Sequence, residues 1–137
     1  VTLEIEHCVI AVTDWKRSNA FYRDVLFAEV VERGTGYVYQ LGNQFLSVHG
    51  PGMEPAKISS SLAARDPVRP GNSDLCFVWS GLLTEALEHL RRHDVPIELG
   101  PFDGTNPFGR PCSNVYFRDP DGSLLEFVSY HHHHAAP

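Results

Sequence analysis

The order of elements repeats, and no other feature of the chain constrains its fold as much. Leu3–Val12 (LEIEHCVIAV) reads as a strand, with Cys8, Ile10 and Val12 on one face and His7, Val9 and Ala11 on the other. Asp14 is placed to cap a helix over Trp15–Leu26, where Trp15, Ser18, Phe21, Tyr22, Val25 and Leu26 recur at helical spacing. Three strands follow, Glu29–Arg33, Gly36–Leu41 and Gln44–His49, joined by turns at Gly34-Thr35-Gly36 and Gly42-Asn43. Gly50–Asn72, with four prolines and little apolar periodicity, reads as a long connection. Then the pattern restarts. Asp74–Trp79 (DLCFVW) is a strand, Ser80 a candidate cap, and Gly81–His93 a helix with Leu82, Leu83, Ala86, Leu87 and Leu90 on its buried stripe. Val95–Leu99 reads as a strand, Gly100–Pro111 as an irregular loop, and Asn114–Tyr130 as a closing hairpin turned by Pro120-Asp121-Gly122.

This is a βαβββ duplication. Neither half is long enough to bury a good core alone, so the expected fold is α+β: two βαβββ modules with curled mixed sheets forming a cavity, helices outside. The modules are expected at 3–50 and 73–130, with a linker at 51–72 and a tail or tag remnant at 131–137.

Composition narrows the function classes. A chain of 137 residues with 42% hydrophobic content is one globular domain. Its net charge of −6, with no cluster of Lys and Arg, argues against a nucleic-acid partner. No apolar run of about 18 residues and no charged-then-apolar leader is present, so neither a membrane partner nor a signal segment is expected. The three cysteines, Cys8, Cys76 and Cys112, have no CxxC spacing and fit free thiols in the cytoplasm.

In the register of the repeat, His7 and Asp74 are read as matching positions on the first strand of each half, and His49 and Glu126 as matching positions on the last. A carboxylate among the apolar residues of a strand is costly to bury unless a cation or donor meets it. Two histidines and a carboxylate brought together by curled sheets suit a divalent metal ion: Fe, Mn, Ni, Co or Zn. The competing reading of each histidine is a hydrogen-bonded interior residue, and of Glu126 a salt bridge to a neighbour such as Arg118. Tyr37 and Tyr39 share one strand face, Asn114 and Tyr116 alternate with Val115 and Phe117, and Arg110 sits in a Gly-rich loop suited to clamping an anion. We therefore expect Arg110, Tyr39 and Asn114 to bind a small-molecule substrate, with packing or a surface position as the competing reading of each. His89 and His93 fall in the last turns of their helix and read as structural. No GxSxG, Walker or GxGxxG motif appears.

HCVIAV with the following AFYRDVL helix, NQFLSVH, SDLCFVW and VYFRDPDGSLLEF together resemble the vicinal oxygen chelate superfamily of glyoxalases, bleomycin-resistance proteins and extradiol dioxygenases. The resemblance spans nearly all of residues 3–130 and is strongest to single-domain, virulence-associated glyoxalase-like proteins. It implies a metal-dependent lyase, isomerase or ring-cleaving dioxygenase that binds adjacent substrate oxygens on the ion. Family ligands come from the four positions above, implying His7, His49 and Glu126 as direct metal ligands. Asp74 would be a fourth or supporting group, and Glu126, Asp74 and Tyr116 the catalytic residues. The chain departs from many members by placing histidine at the end of the first half and aspartate at the start of the second, where a carboxylate and a histidine are more usual. The alternative is a metal-free drug-binding protein of the same fold. A homodimer is also expected, as family members commonly pair.

Overall fold

The computed structural model describes residues 1–53 and 63–131. The middle of the connection expected at 51–72, and the tail beyond His131, lie outside the described residues. The chain divides into two compact units, Val1–Ser73 with Pro120–Ser123, and Asp74–Asp119 with Leu124–Pro137.

The first unit holds β1 (His7–Ala11), α1 (Trp15–Asp24), β2 (Glu29–Arg33), β3 (Gly36–Leu41) and β4 (Gln44–His49). Its sheet runs β1-β4-β3-β2, with β1 parallel to β4 and the other pairs antiparallel. Asp14 caps α1 by accepting from the Arg17 N–H at 2.9 Å. The α1 stripe buries Ser18 and Tyr22 against the sheet. Tyr22 stacks on Tyr39 with ring centroids 4.7 Å apart. Ile10, Leu46 and Val48 complete this core. β1 is shorter than expected. Residues before His7 stay exposed, with the carbonyls of Ile5 and Glu6 held by Gln44 Nε2 and the Phe45 N–H.

The second unit holds β5 (Asp74–Val78), α2 (Leu83–Arg92), β6 (Ile97–Thr105), β7 (Pro111–Arg118) and β8 (Leu124–Ser129), in the order β5-β8-β7-β6. Again the first and last strands pair in parallel. Leu83, Ala86 and Leu90 of α2 are buried with Val115, Phe117, Leu125 and Phe127. The predicted α2 cap is corrected: Leu82 holds the N-cap position, and the Glu85 carboxylate accepts its N–H at 2.8 Å. The loop expected at Gly100–Pro111 is also corrected. Most of it is strand, and β6 takes up Gly100 and Pro101 through register shifts between Ile97 and Leu99 and between Leu99 and Phe102. An edge position tolerates a proline that cannot donate to the ladder. The two units thus match the expected α+β pattern of two four-stranded mixed sheets, each with one helix.

Candidate active site

In the second unit, alternation separates two chemistries. Val115, Phe117, Leu125 and Phe127 are buried, and Phe127 meets Trp79, which in turn packs on His89 of α2. The opposite face, turned away from α2, carries Asn114 and Tyr116 on β7, Glu126 on β8, and Asp74 and Cys76 on β5. Register makes them neighbours, because Glu126 pairs with Cys76 on one side and with Tyr116 on the other. The Asn114 side-chain amide donates to Glu126 Oε1. Cys112 Sγ lies 3.4 Å from Asn114 Oδ1 and extends the cluster.

The electrostatics of this face are acidic. Burial, with the charge of Glu126 and a hydrogen bond to it, pushes the Cys76 thiol up to about 12. Tyr116 is raised for the same reasons, burial first and Glu126 next. Both groups therefore keep their protons at neutral pH and act as donors toward the carboxylate. No Lys, Arg or His among the described residues forms an ion pair with Glu126, and the salt bridge to Arg118 does not form; Arg118 reaches Glu98 instead, at 3.4 Å.

The first unit presents the corresponding face differently. His7, Phe45, Ser47 and His49 share the side turned away from α1. His7 stacks flat on Phe45, with centroids 4.6 Å apart, and its Nδ1 lies 3.1 Å from Glu6 Oε2. The register pairs His7 with Phe45 but Ala11 with His49. The two histidines are thus offset by four residues, about 13 Å along the strands at about 3.3 Å per residue. Imidazole nitrogens sharing an ion each lie about 2.1 Å from it, so one ion takes only one of these residues.

The same register corrects the matching of His49 with Glu126. Glu126 stands two residues past the partner of Asp74, which is Leu124. Two residues past Phe45, the partner of His7, is Ser47. Sequence reading missed Ser47 because it compared strand ends rather than strand registers. It also read Cys76 only as a free thiol, although period-two alternation already placed it on the Asp74 face.

Two expected substrate-binding residues are elsewhere. Tyr39 is fully buried on the α1 side, and its hydroxyl lies 2.8 Å from Ser18 Oγ and 2.7 Å from Asn19 Oδ1. It is a core residue, because β3 turns the face it shares with Tyr37 toward the helix. The Arg110 guanidinium lies over the Tyr130 ring, 4.0 Å from its centroid, in a loop braced by Asn106 Oδ1, which accepts the N–H groups of Phe108 and Arg110. Asn114, by contrast, joins Tyr116 and Glu126.

Among the described residues no three His, Cys, Asp or Glu side chains gather in a way that would hold a metal ion. Within the first sheet, the register sets His7 and His49 too far apart for both to bind one ion. The acidic pair of the second unit does suit a cation. Glu126 and Asp74 share a face, both charges raise neighbouring pKa values, and among the described residues no Lys, Arg or His pairs with Glu126.

Comparison with known proteins places the chain. It is 34% identical to glyoxalase domain-containing protein RDO1 of Mycosarcoma maydis over 92% of this chain and 68% of that protein. It is 32% identical to virulence protein STM3117 of Salmonella typhimurium, over 92% of this chain and 83% of that one. Among solved structures, the integron cassette protein VCH_CASS1 from the mobile metagenome of V. cholerae superposes with a TM-score of 0.81 at 32% identity, covering 96% of this chain and 98% of that one. The family model for the glyoxalase/bleomycin resistance protein/dioxygenase superfamily matches residues 4–127. With the duplicated sheets and these relatives, the chain belongs to that superfamily.

Proposed function

We propose that the protein is a metal-dependent enzyme of lyase, isomerase or dioxygenase type, acting on a small molecule that offers two adjacent oxygens. The observation that carries this reading is the Glu126 carboxylate, flanked by Asn114, Tyr116 and Cys76, facing the same way as Asp74 and, among the described residues, in no ion pair with a Lys, Arg or His. Such a carboxylate calls for a positive partner. Asp74 and Glu126, on one face of the second sheet, would hold a divalent ion through their carboxylates. When bound, the ion supplies Lewis-acid polarisation of the substrate oxygens.

The chain's own groups do the rest. Asn114 fixes the Glu126 rotamer by its amide hydrogen bond, leaving the second carboxylate oxygen to its other partners. Tyr116 keeps its proton on Oη, so it can donate a hydrogen bond to negative charge developing on a substrate oxygen. Cys76 stays a neutral thiol and is a packing neighbour of the carboxylate rather than a nucleophile.

Elemental analysis of protein lacking the histidine tail tests the reading. We expect near-stoichiometric divalent metal, reduced at least tenfold in Glu126→Gln and in Asp74→Asn. Metal that survives both substitutions would reject it. The offset of His7 from His49 favours a second reading, a metal-free small-molecule binder of the same fold, for which the tail-free protein would carry no metal at any loading.

A further inference from the structure

The end of α2 brings two imidazoles together. His89 lies in its last turn and His93 is its C-cap, four residues on, so the two project from the same side of the helix. Their ring centroids are 4.5 Å apart and their planes are inclined at 54°. Trp79 packs against His89 with ring centres 5.4 Å apart, which restricts how that imidazole can turn. His89 is half-buried and His93 exposed.

The hydrogen bonding of His93 decides what the pair can do. Its Nδ1 lies 2.9 Å from the His89 carbonyl oxygen, which only accepts, so Nδ1 carries the proton and the lone pair of the neutral ring sits on Nε2. Donation of one ring N–H to a backbone carbonyl is how metal-binding histidines are held, with the other nitrogen as the ligand. His89 also has two ring nitrogens, so a partner at one leaves the other for an ion. Two imidazoles on one ion, with each nitrogen about 2.1 Å from it, have ring centres about 4.5 Å apart at a right angle and about 5 Å apart at a tetrahedral one. The observed spacing suits the square sites of copper(II) and nickel(II), for which imidazole is a favoured donor. The distance criterion that separates His7 from His49 thus admits this pair.

Local charge is compatible with a cation. Arg91 and Arg92 are both drawn to Glu88, at 2.6 and 3.1 Å. The unpaired carbonyls at the end of a helix give its last turn a negative potential.

We propose that His89 and His93 chelate a divalent ion of the copper(II) and nickel(II) class, tying the last turn of α2 to its cap. Among the described residues no third His, Cys, Asp or Glu completes a set, so water fills the remaining positions. The pair lies on the helix, away from the strand face that carries Asp74 and Glu126, and requires neither carboxylate, so it goes beyond the function proposed above.

The test is calorimetric titration with nickel(II), which does not oxidise the three free thiols. The protein is the full-length chain with the four tail histidines, His131–His134, changed to asparagine. We expect a saturable nickel site that excess magnesium does not displace. His93→Ala and His89→Gln should each weaken it at least tenfold, since losing one donor removes the chelate. His93→Ala changes only an exposed side chain, so it carries the test whatever becomes of His89→Gln. The same loss should appear with Glu126→Gln already in place, which separates the pair from the acidic face. No saturable nickel site, an affinity unmoved by His93→Ala, displacement by magnesium, or loss of the site in Glu126→Gln alone would each overturn the proposal. Failure of the pair leaves the enzyme reading standing, because that reading rests on Glu126 and Asp74.

Discussion

At one and the same place in the two sheets, two residues beyond the ladder partner of the first strand's leading polar residue, the first unit carries Ser47 and the second Glu126. The leading residues differ too, His7 in one and Asp74 in the other. Around them, the first face carries the stacked His7–Phe45 pair, whereas the second is acidic and holds a thiol and a phenol that keep their protons. The duplicated backbone therefore presents two chemistries from one topology. The difference arises at single side chains, because a strand's alternation fixes which face a residue serves but not what it is.

The sharpest test of that contrast is the thiol of Cys76. At pH 8 its ionised fraction is about three powers of ten below that of an ordinary thiol. The greater intrinsic nucleophilicity of a high-pKa thiolate offsets part of this, leaving labelling by a disulfide reagent about a hundredfold slow. Glu126→Gln should restore at least tenfold of that rate, and ordinary labelling of the parent protein would show that the acidic face is misread. The same group sets a pH dependence. Its pKa is higher folded than unfolded, so its contribution to stability is intact below about 9 and is lost as pH rises toward about 12. The fall in melting temperature over that range should be shallower in Cys76→Ala.

Next in size is the exchange of the two matching residues. Ser47→Ala should leave metal content unchanged while Glu126→Gln loses it at least tenfold, and Ser47→Glu should add divalent-ion affinity to the first unit. Loss of metal in Ser47→Ala would erase the asymmetry. The cores differ more quietly. Leu90→Ala, a fully buried aliphatic residue of the second unit, should cost about 2–5 kcal/mol in denaturant unfolding. Tyr39→Phe in the first should cost about 1 kcal/mol, since Ser18 and Asn19 lose a hydrogen-bond partner. A cost above that of Leu90→Ala would mean the buried hydroxyl matters more than aliphatic packing.

Much of this was legible in the chain itself. Strand alternation and helical stripes located all but one of the strands closely, both helices and the repeat, because periodicity reports directly which side chains are buried. Only the start of β6 was legible, because Gly100, Pro101 and Gly104 mimic a loop and pairing with β7 turns them into an edge strand. The face shared by Asn114, Tyr116 and Glu126 follows from period two alone. The relation of His7 to His49 does not, since it depends on how two distant strands slide past one another, a long-range quantity that no local pattern encodes. Tyr39 misled for a similar reason: alternation grouped it with Tyr37 without saying which side the helix would cover.

The turn at Pro120–Ser123 joins β7 to β8, yet it belongs with the first unit. There the Asp121 carboxylate, 4% exposed, takes the Thr13 hydroxyl at 2.5 Å and the Arg17 guanidinium at 3.5 Å, while Ser123 Oγ accepts the Ser73 N–H. If the ancestor was one module copied in tandem, its descendants have ceased to be interchangeable parts. A gene fragment ending at Ser73 would encode a body missing its own keystone, so the heritable repeat and the autonomous building block are not the same stretch of polypeptide.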